Sequence, residues 1–174
     1  MIKKKKKMLI SRLTPKEEIL KLGEECERCG HCCTYGSGFV LPEDIKMLSK
    51  GLKENPTEIK ERYLDEHEVF NTTIHKIKVK KNGKPYGNCV FYIQKEGCTI
   101  HKFKPLHCRI GSCKKHGEEV AEWFFLNFAV NPEDPESIRQ WAARLKGRKT
   151  IPGGALEELV PDKRKLIRIL TYKE

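Results

Sequence analysis

The sequence predicts an α+β fold: a small antiparallel β-hairpin or three-stranded sheet with helices around it, organised about a cysteine-rich centre. Three observations predict it. Apolar residues recur at helical spacing in segments bounded by cap and stop residues towards both ends of the chain. A central segment, TIHKIKVKKNGKPYGNCVFYI, changes to alternation and carries Asn82-Gly83, a strong short-range hairpin signal. Eight cysteines fall in two groups: Cys26, Cys29, Cys32 and Cys33, then Cys89, Cys98, Cys108 and Cys113.

Residues 1–13 read as a disordered basic arm. Thr14 then opens a capping box with Glu17, Pro15 takes the first helical position, and Gly23 ends the helix just before the cysteines. Pro42 starts a second helix, with Ile45 and Leu48 on one face and Gly51 as its stop. Asn55-Pro56 opens a third, carrying Ile59 and Tyr63 and reaching towards Val69-Phe70. Strands are expected at about 74–80, where His75, Ile77 and Val79 alternate with lysines, and at about 86–93. A third short strand near Cys98 to His101 puts Cys89 and Cys98 on neighbouring strands. EVAEWFFLNFAVN suits a helix through Val120, Trp123, Phe124 and Phe128, or a buried strand. Asp134 caps a helix with Pro135 first and Ile138, Trp141, Ala142 and Leu145 on one face, stopped by Gly147. IPGG is a linker, and a last helix near 162–171 carries Leu166, Ile167, Ile169 and Leu170.

The 174 residues suit one domain with appendages. The division read from the sequence is the arm at 1–13, a cysteine-cluster domain at 14–150, and a linker with a C-terminal helix at 151–174. With 38% hydrophobic and 34% charged residues the core is modest, and a metal site would reinforce it.

The formal net charge is +11, and the Lys3 to Lys7 run supplies five of it, which leaves +6 elsewhere. A solvated Lys/Glu-rich surface accounts for that balance. Attraction to nucleic acid is weakly supported, because no basic motif is interleaved with aromatics; an acidic partner is the other basic-surface reading. Only Met8, Leu9 and Ile10 follow the lysine run before Ser11 and Arg12, too short an apolar stretch for a signal peptide. No segment approaches the roughly 20 apolar residues of a membrane helix. The expectation is a soluble cytoplasmic protein, with no membrane association, in a compartment that keeps thiols reduced. Metal binding or redox chemistry then explains the cysteines better than a disulfide framework does.

Cys26, Cys29 and Cys32 recur every third residue, a spacing that lets a loop turn its thiolates to one centre while its amides offset their charge. Gly30 relieves crowding where such a loop curls. The run resembles the start of a ferredoxin-type iron–sulfur loop and also contains the C-x2-C knuckle of zinc sites. Alone it chooses neither metal. Adjacent side chains diverge, so Cys33 is poorly placed to share one ion with Cys32. It is either a ligand to a second centre or cluster atom, or a reactive or buried thiol. Four plus four cysteines allow two four-thiolate sites or one larger shared site. His31, His101, His107 and His116 lie within or beside the cysteine segments as substitute ligands. Arg109, beside Cys108, is placed to balance the negative charge of a thiolate site.

CERCGHCC, then LPEDI, then NCVFYIQKEGCTIHKFKPLHCR resemble the C-x-x-C-x-x-C-C cysteine cluster family, the YkgJ-like proteins, described as zinc- or iron-chelating. The matching positions are Cys26, Cys29, Cys32, Cys33, Cys89, Cys98, Ile100, Pro105, Cys108 and Arg109. Cys113 is present, within IGSC in place of a more apolar continuation. His101 stands where the family usually has Tyr, and Lys104 where it usually has Arg. The resemblance implies metal binding by all eight cysteines. A related cluster in flagellin lysine methylases suggests an association with protein modification. The methylase activity itself does not carry over, because the chain has neither G-x-G-x-x-G after a strand nor a C-x3-C-x2-C motif.

Three readings of function follow. The first is a small metalloprotein holding an iron–sulfur cluster, slightly favoured over zinc, and serving a redox or protein partner. The second is an enzyme with an open metal position or a reactive Cys33. The third is a zinc-stapled interaction module whose basic surface does the binding.

Overall fold

The computed structural model describes residues 9–23, 26–111 and 116–173. In chain order the elements are α1 (Lys16–Gly23), α2 (His31–Tyr35), β1 (Phe39–Val40), α3 (Pro42–Leu52), α4 (Pro56–Tyr63), β2 (Leu64–Val69) and β3 (Thr72–Ile77). There follow β4 (Val79–Lys80), β5 (Asn88–Cys89), β6 (Tyr92–Ile93), β7 (Gly97–Cys98), a 3-10 turn at His101–Phe103 and α5 (Leu106–Ile110). The chain ends in α6 (Gly117–Phe128), α7 (Pro135–Leu145), α8 (Leu156–Leu159) and α9 (Lys163–Leu170). The fold class is α+β, with small antiparallel sheets among helices.

Cap chemistry places the helices where the sequence puts them. Asn55 Oδ1 accepts the Thr57 and Glu58 amides at 3.0 Å each, Asp134 Oδ1 accepts the Glu136 amide at 3.1 Å, and Asp162 Oδ1 takes the Arg164 and Lys165 amides. The aromatic segment of open character is helical, as α6. At the first helix, the Thr14 hydroxyl accepts the Ser11 N–H at 2.9 Å.

The main hairpin lies elsewhere than expected. Residues 64–69 are a strand and not the continuation of α4. Phe70 and Asn71 both adopt positive φ, 50° and 56°, and so form a two-residue turn that folds β2 back on β3 over six residue pairs. A bulky residue with positive φ is unfavourable. Here Phe70 is buried, edge-on to Phe125 and Trp141, and Asn71 is tied to α7 through Gln140 and Asp134. Tertiary packing thus fixes a turn that local propensity does not announce. The Asn82-Gly83 hairpin is present but small: Val79 pairs with Cys89 and Lys80 with Asn88. Cys98 sits on β7, which pairs with β6, so Cys89 and Cys98 belong to different two-stranded sheets and not to neighbouring strands.

β1, β3 and β2, in that order, make a three-stranded antiparallel sheet. Successive strand residues face opposite sides, and both sides are covered. Phe39, Ile74 and Val69 join a core with α1, α5, α6, α7 and α9, which includes Trp123, Phe124, Ile138, Trp141, Leu166 and Ile169. Val40, Ile77 and Leu64 join a second core with Ile45, Leu48, Ile59, Phe91, Ile100 and Cys89. Of the alternating set His75, Ile77 and Val79, Ile77 is buried and the other two are half-buried, while Ile74, on the opposite side of β3, is buried as well.

Of the expected basic arm, residues 1–8 lie outside the described residues. Ile10 is buried in the helical core, and the Arg12 amide donates to the Pro152 carbonyl at 2.8 Å. Among the described residues no helix is long and apolar enough to cross a membrane.

Candidate metal centre

Cys26 and Cys29 lie in the irregular segment between α1 and α2, and Cys32 and Cys33 lie on α2. Arg28 and Gly30 take positive φ, 55° and 77°, which curls the segment back on itself. A side chain at Gly30 would collide with the Tyr92 ring, so glycine is needed there for both conformation and space. Cys89 is carried by β5, Cys98 by β7 and Cys108 by α5.

All seven of these cysteines line one cavity of about 160 Å³. Cys113 lies outside the described residues. Cys29 and Cys32 are exposed, Cys89 is buried, and the others are half-buried. Ile77 and Ile100 form the apolar part of the wall. Gly38 also lines it, and a Cβ at Gly38 would strike Cys108 Sγ, so the backbone of β1 approaches that thiol as closely as glycine permits.

Two polar devices hold the walls together. The buried Asp44 carboxylate accepts the Leu41 amide at the start of α3 and the Leu106 amide at the start of α5, each at 2.9 Å. This fixes the helix that presents Cys108. The Ser37 hydroxyl donates to the Ile77 carbonyl and ties the α2–β1 connection to β3.

Cys32 and Cys33 do not diverge. Their sulfurs are 3.9 Å apart and both face the cavity. Two thiols so placed share a proton: Cys32 is lowered to about 6 by its bond to Cys33, and Cys33 is raised by the same bond and by burial. Lys104 adds to the lowering of Cys32. Burial pushes Cys89 up to about 11 and raises Cys98 and Cys108, with neighbouring sulfurs adding to the effect. The cavity thus opposes the ionisation of most of its thiols in the absence of a cation.

The four candidate histidines separate into two pairs. His101 and His107 line the cavity. His107 is pushed down to about 4 by burial among Phe39, Phe124 and Phe125, with Lys76 adding to it. His31 is exposed against Tyr35, and His116 Nδ1 bonds Glu119 at 2.6 Å, so neither borders the cavity. Arg109 is exposed and also outside the cavity wall. Among the described residues the cations on the wall are Arg28 and Lys104, neither of which was foreseen as a charge partner. The signal for Lys104 was its position immediately before Pro105 in the cysteine motif.

Among the described residues, no group of three or more His, Cys, Asp or Glu side chains is gathered tightly enough to hold an ion. The thiols instead stand around the cavity, with Glu27 the carboxylate on its wall. The donor set is soft, dominated by sulfur with two imidazoles, and fits a thiophilic metal such as zinc or iron.

The family profile for CxxCxxCC, "Putative zinc- or iron-chelating domain", matches residues 25–125, more than half of the chain. The chain belongs to this family. The matched span contains all eight cysteines and reaches into α6, so the family region takes in both groups of thiols and part of the helical core. No curated protein and no solved structure matches the chain.

Proposed function

We propose that this member of the zinc- or iron-chelating family holds a polynuclear, thiolate-bound metal centre, an iron–sulfur cluster in preference to zinc. Its work is electron transfer or redox support to a protein partner, in keeping with the association of such clusters with protein modification. The observation that carries the reading is the convergence of seven thiols, from the 26–33 segment, β5, β7 and α5, on one cavity. A structural zinc ion takes four ligands, so seven sulfurs exceed the need of one ion. A cavity of roughly 150 Å³ admits a benzene-sized group, which is more space than one metal ion requires. The residues that would hold the centre are Cys26, Cys29, Cys32, Cys33, Cys89, Cys98 and Cys108, with Cys113 as the eighth sulfur. When bound, an iron–sulfur centre supplies one-electron chemistry, whereas zinc supplies a cross-link between segments.

The cytoplasm is the compartment this reading requires, since reduced thiols must be available for loading. The test is elemental and sulfide analysis of protein purified without oxygen. Iron with acid-labile sulfide and a brown colour is the expected result. A colourless protein with stoichiometric zinc would move the function to a zinc-stapled module. Neither metal would overturn the reading. Cys33→Ser is expected to lose metal as Cys29→Ser does; full metal content in Cys33→Ser alone would put Cys33 outside the centre and favour a reactive-thiol enzyme.

A further inference from the structure

Among the described residues two charged side chains are buried, Asp44 and Lys104. The Asp44 carboxylate is accounted for by the two backbone amides it accepts. Lys104 is 8% exposed and lines the thiol cavity, whereas Arg28 and Glu27 on the same wall are exposed. Its position is set by the backbone. Lys104 ends the 3-10 turn in an extended conformation, φ −65° and ψ 148°, which the following Pro105 favours. Its ammonium lies 3.5 Å from His101 Nε2. An imidazole carries no negative charge, so His101 is a lone-pair acceptor for the ammonium and not a counter-ion. A buried cation beside an imidazole is costly unless an anion faces it, and what faces this cavity, among the described residues, is seven thiols and the exposed Glu27 carboxylate.

We propose that Lys104 is the built-in counter-charge of the thiol cavity, a positioning residue that offsets the negative charge left when metal replaces the cysteine protons. The proposal rests on the reading of the cavity as a metal centre. Lys104 is not itself a ligand: an ammonium has donors and no lone pair to give. Its cost falls on the metal-free protein and its benefit on the loaded one. This assigns the charge role to Lys104, inside the wall, and not to the exposed Arg109.

The two-sided effect makes the test specific. Full-length wild type, Lys104→Met and Lys104→Arg are reduced, stripped with chelator and titrated with Zn²⁺ without oxygen against a chromogenic chelator. Urea unfolding of each metal-free protein is measured in parallel. Lys104→Met is expected to bind Zn²⁺ about tenfold more weakly or worse, because a buried charge pair is lost. Lys104→Arg is expected to remain within about threefold of wild type, since it keeps the charge. The Lys104→Met loss is expected to persist at about 0.5 M salt, where surface attraction is screened. Metal-free Lys104→Met is expected to unfold at the same urea concentration as wild type or a higher one, because a buried charge has been removed.

Equal Zn²⁺ affinity in wild type and Lys104→Met would overturn the proposal and leave the metal centre standing. So would a Lys104→Met loss that disappears at high salt, or an equal loss in Lys104→Arg. A metal-free Lys104→Met that is less stable than wild type, or unfolded, would reduce Lys104 to a packing residue and overturn the proposal too. Wild type that takes up no Zn²⁺ and contains no iron would bring down the reading of the cavity, and this inference with it.

Discussion

The two faces of the three-stranded sheet close in different ways. On one face Trp141, Phe124, Ile138 and Leu126 are essentially inaccessible, and each tryptophan N–H is satisfied by a carbonyl: Trp141 by Gly154 at 2.8 Å and Trp123 by Thr14 at 2.9 Å. That core is complete in protein atoms. On the other face a smaller core, of nine buried residues against 22 among the described residues, grades into Cys33, Cys98 and Cys108 at the edge of the cavity. The strands that carry its thiols, β5 and β7, are two residues long, and the helices at the cavity, α2 and α5, have five residues each. Elements this short are not stable through their own hydrogen bonds. The difference is a division of labour: one face is held by apolar burial, and on the proposed reading the other is held by a metal centre that joins four segments.

The division can be broken first on the apolar face. Trp141→Ala removes the largest fully buried side chain and is expected to cost about 3–5 kcal/mol. Urea unfolding should show the loss equally in metal-free and metal-loaded protein, because nothing of Trp141 borders the cavity. A loss confined to the loaded form would mean that the two faces are one unit.

Metal removal probes the other face. Hydrogen exchange after chelation should rise together across residues 26–36 and 86–111, while α6 and α7 keep their protection. Exchange rising in one cysteine segment alone would argue for independent sites; exchange rising throughout would deny the apolar face its independence. A smaller effect is expected from Gly38→Ala. The added methyl meets Cys108 Sγ, and relieving the overlap should cost about 1–3 kcal/mol. It should lower metal content, measured per folded protein, with α6 and α7 exchange unchanged. Normal metal content in a folded Gly38→Ala protein would show that Cys108 does not need its present place.

Much of the helical face was legible because helix signals are local. Asp134-Pro135 states a start and the Trp141 stripe a buried face; in the other core, Asn55-Pro56 states a start in the same way. The β2–β3 hairpin was not legible, because its turn uses Phe70 with positive φ, a choice that only packing against Trp141 and Phe125 makes tolerable. LDEHEV carries four polar residues in six and gives no strand alternation to read. At the cavity, the seven thiols could be named from their spacing, but not the walls between them. Gly38 and Asp44 matter through contacts that span long stretches of chain, and no local pattern marks them; Lys104 stands in the cysteine motif before Pro105, but nothing local says that it is buried. Arg109 shows the converse: adjacency to Cys108 in sequence put it beside a thiol, while the α5 geometry turns it to solvent.

The most direct measurement is the mass of the intact protein, purified without oxygen and sprayed under conditions that keep it folded, compared with its mass after acid and chelator. The account predicts an added mass of more than one metal atom, with sulfide if the centre is iron–sulfur, offset by the cysteine protons displaced. That added mass should be lost together when Cys29 or Cys108 is replaced by serine. A folded protein with the mass of the bare chain and all its cysteine protons would contradict the account.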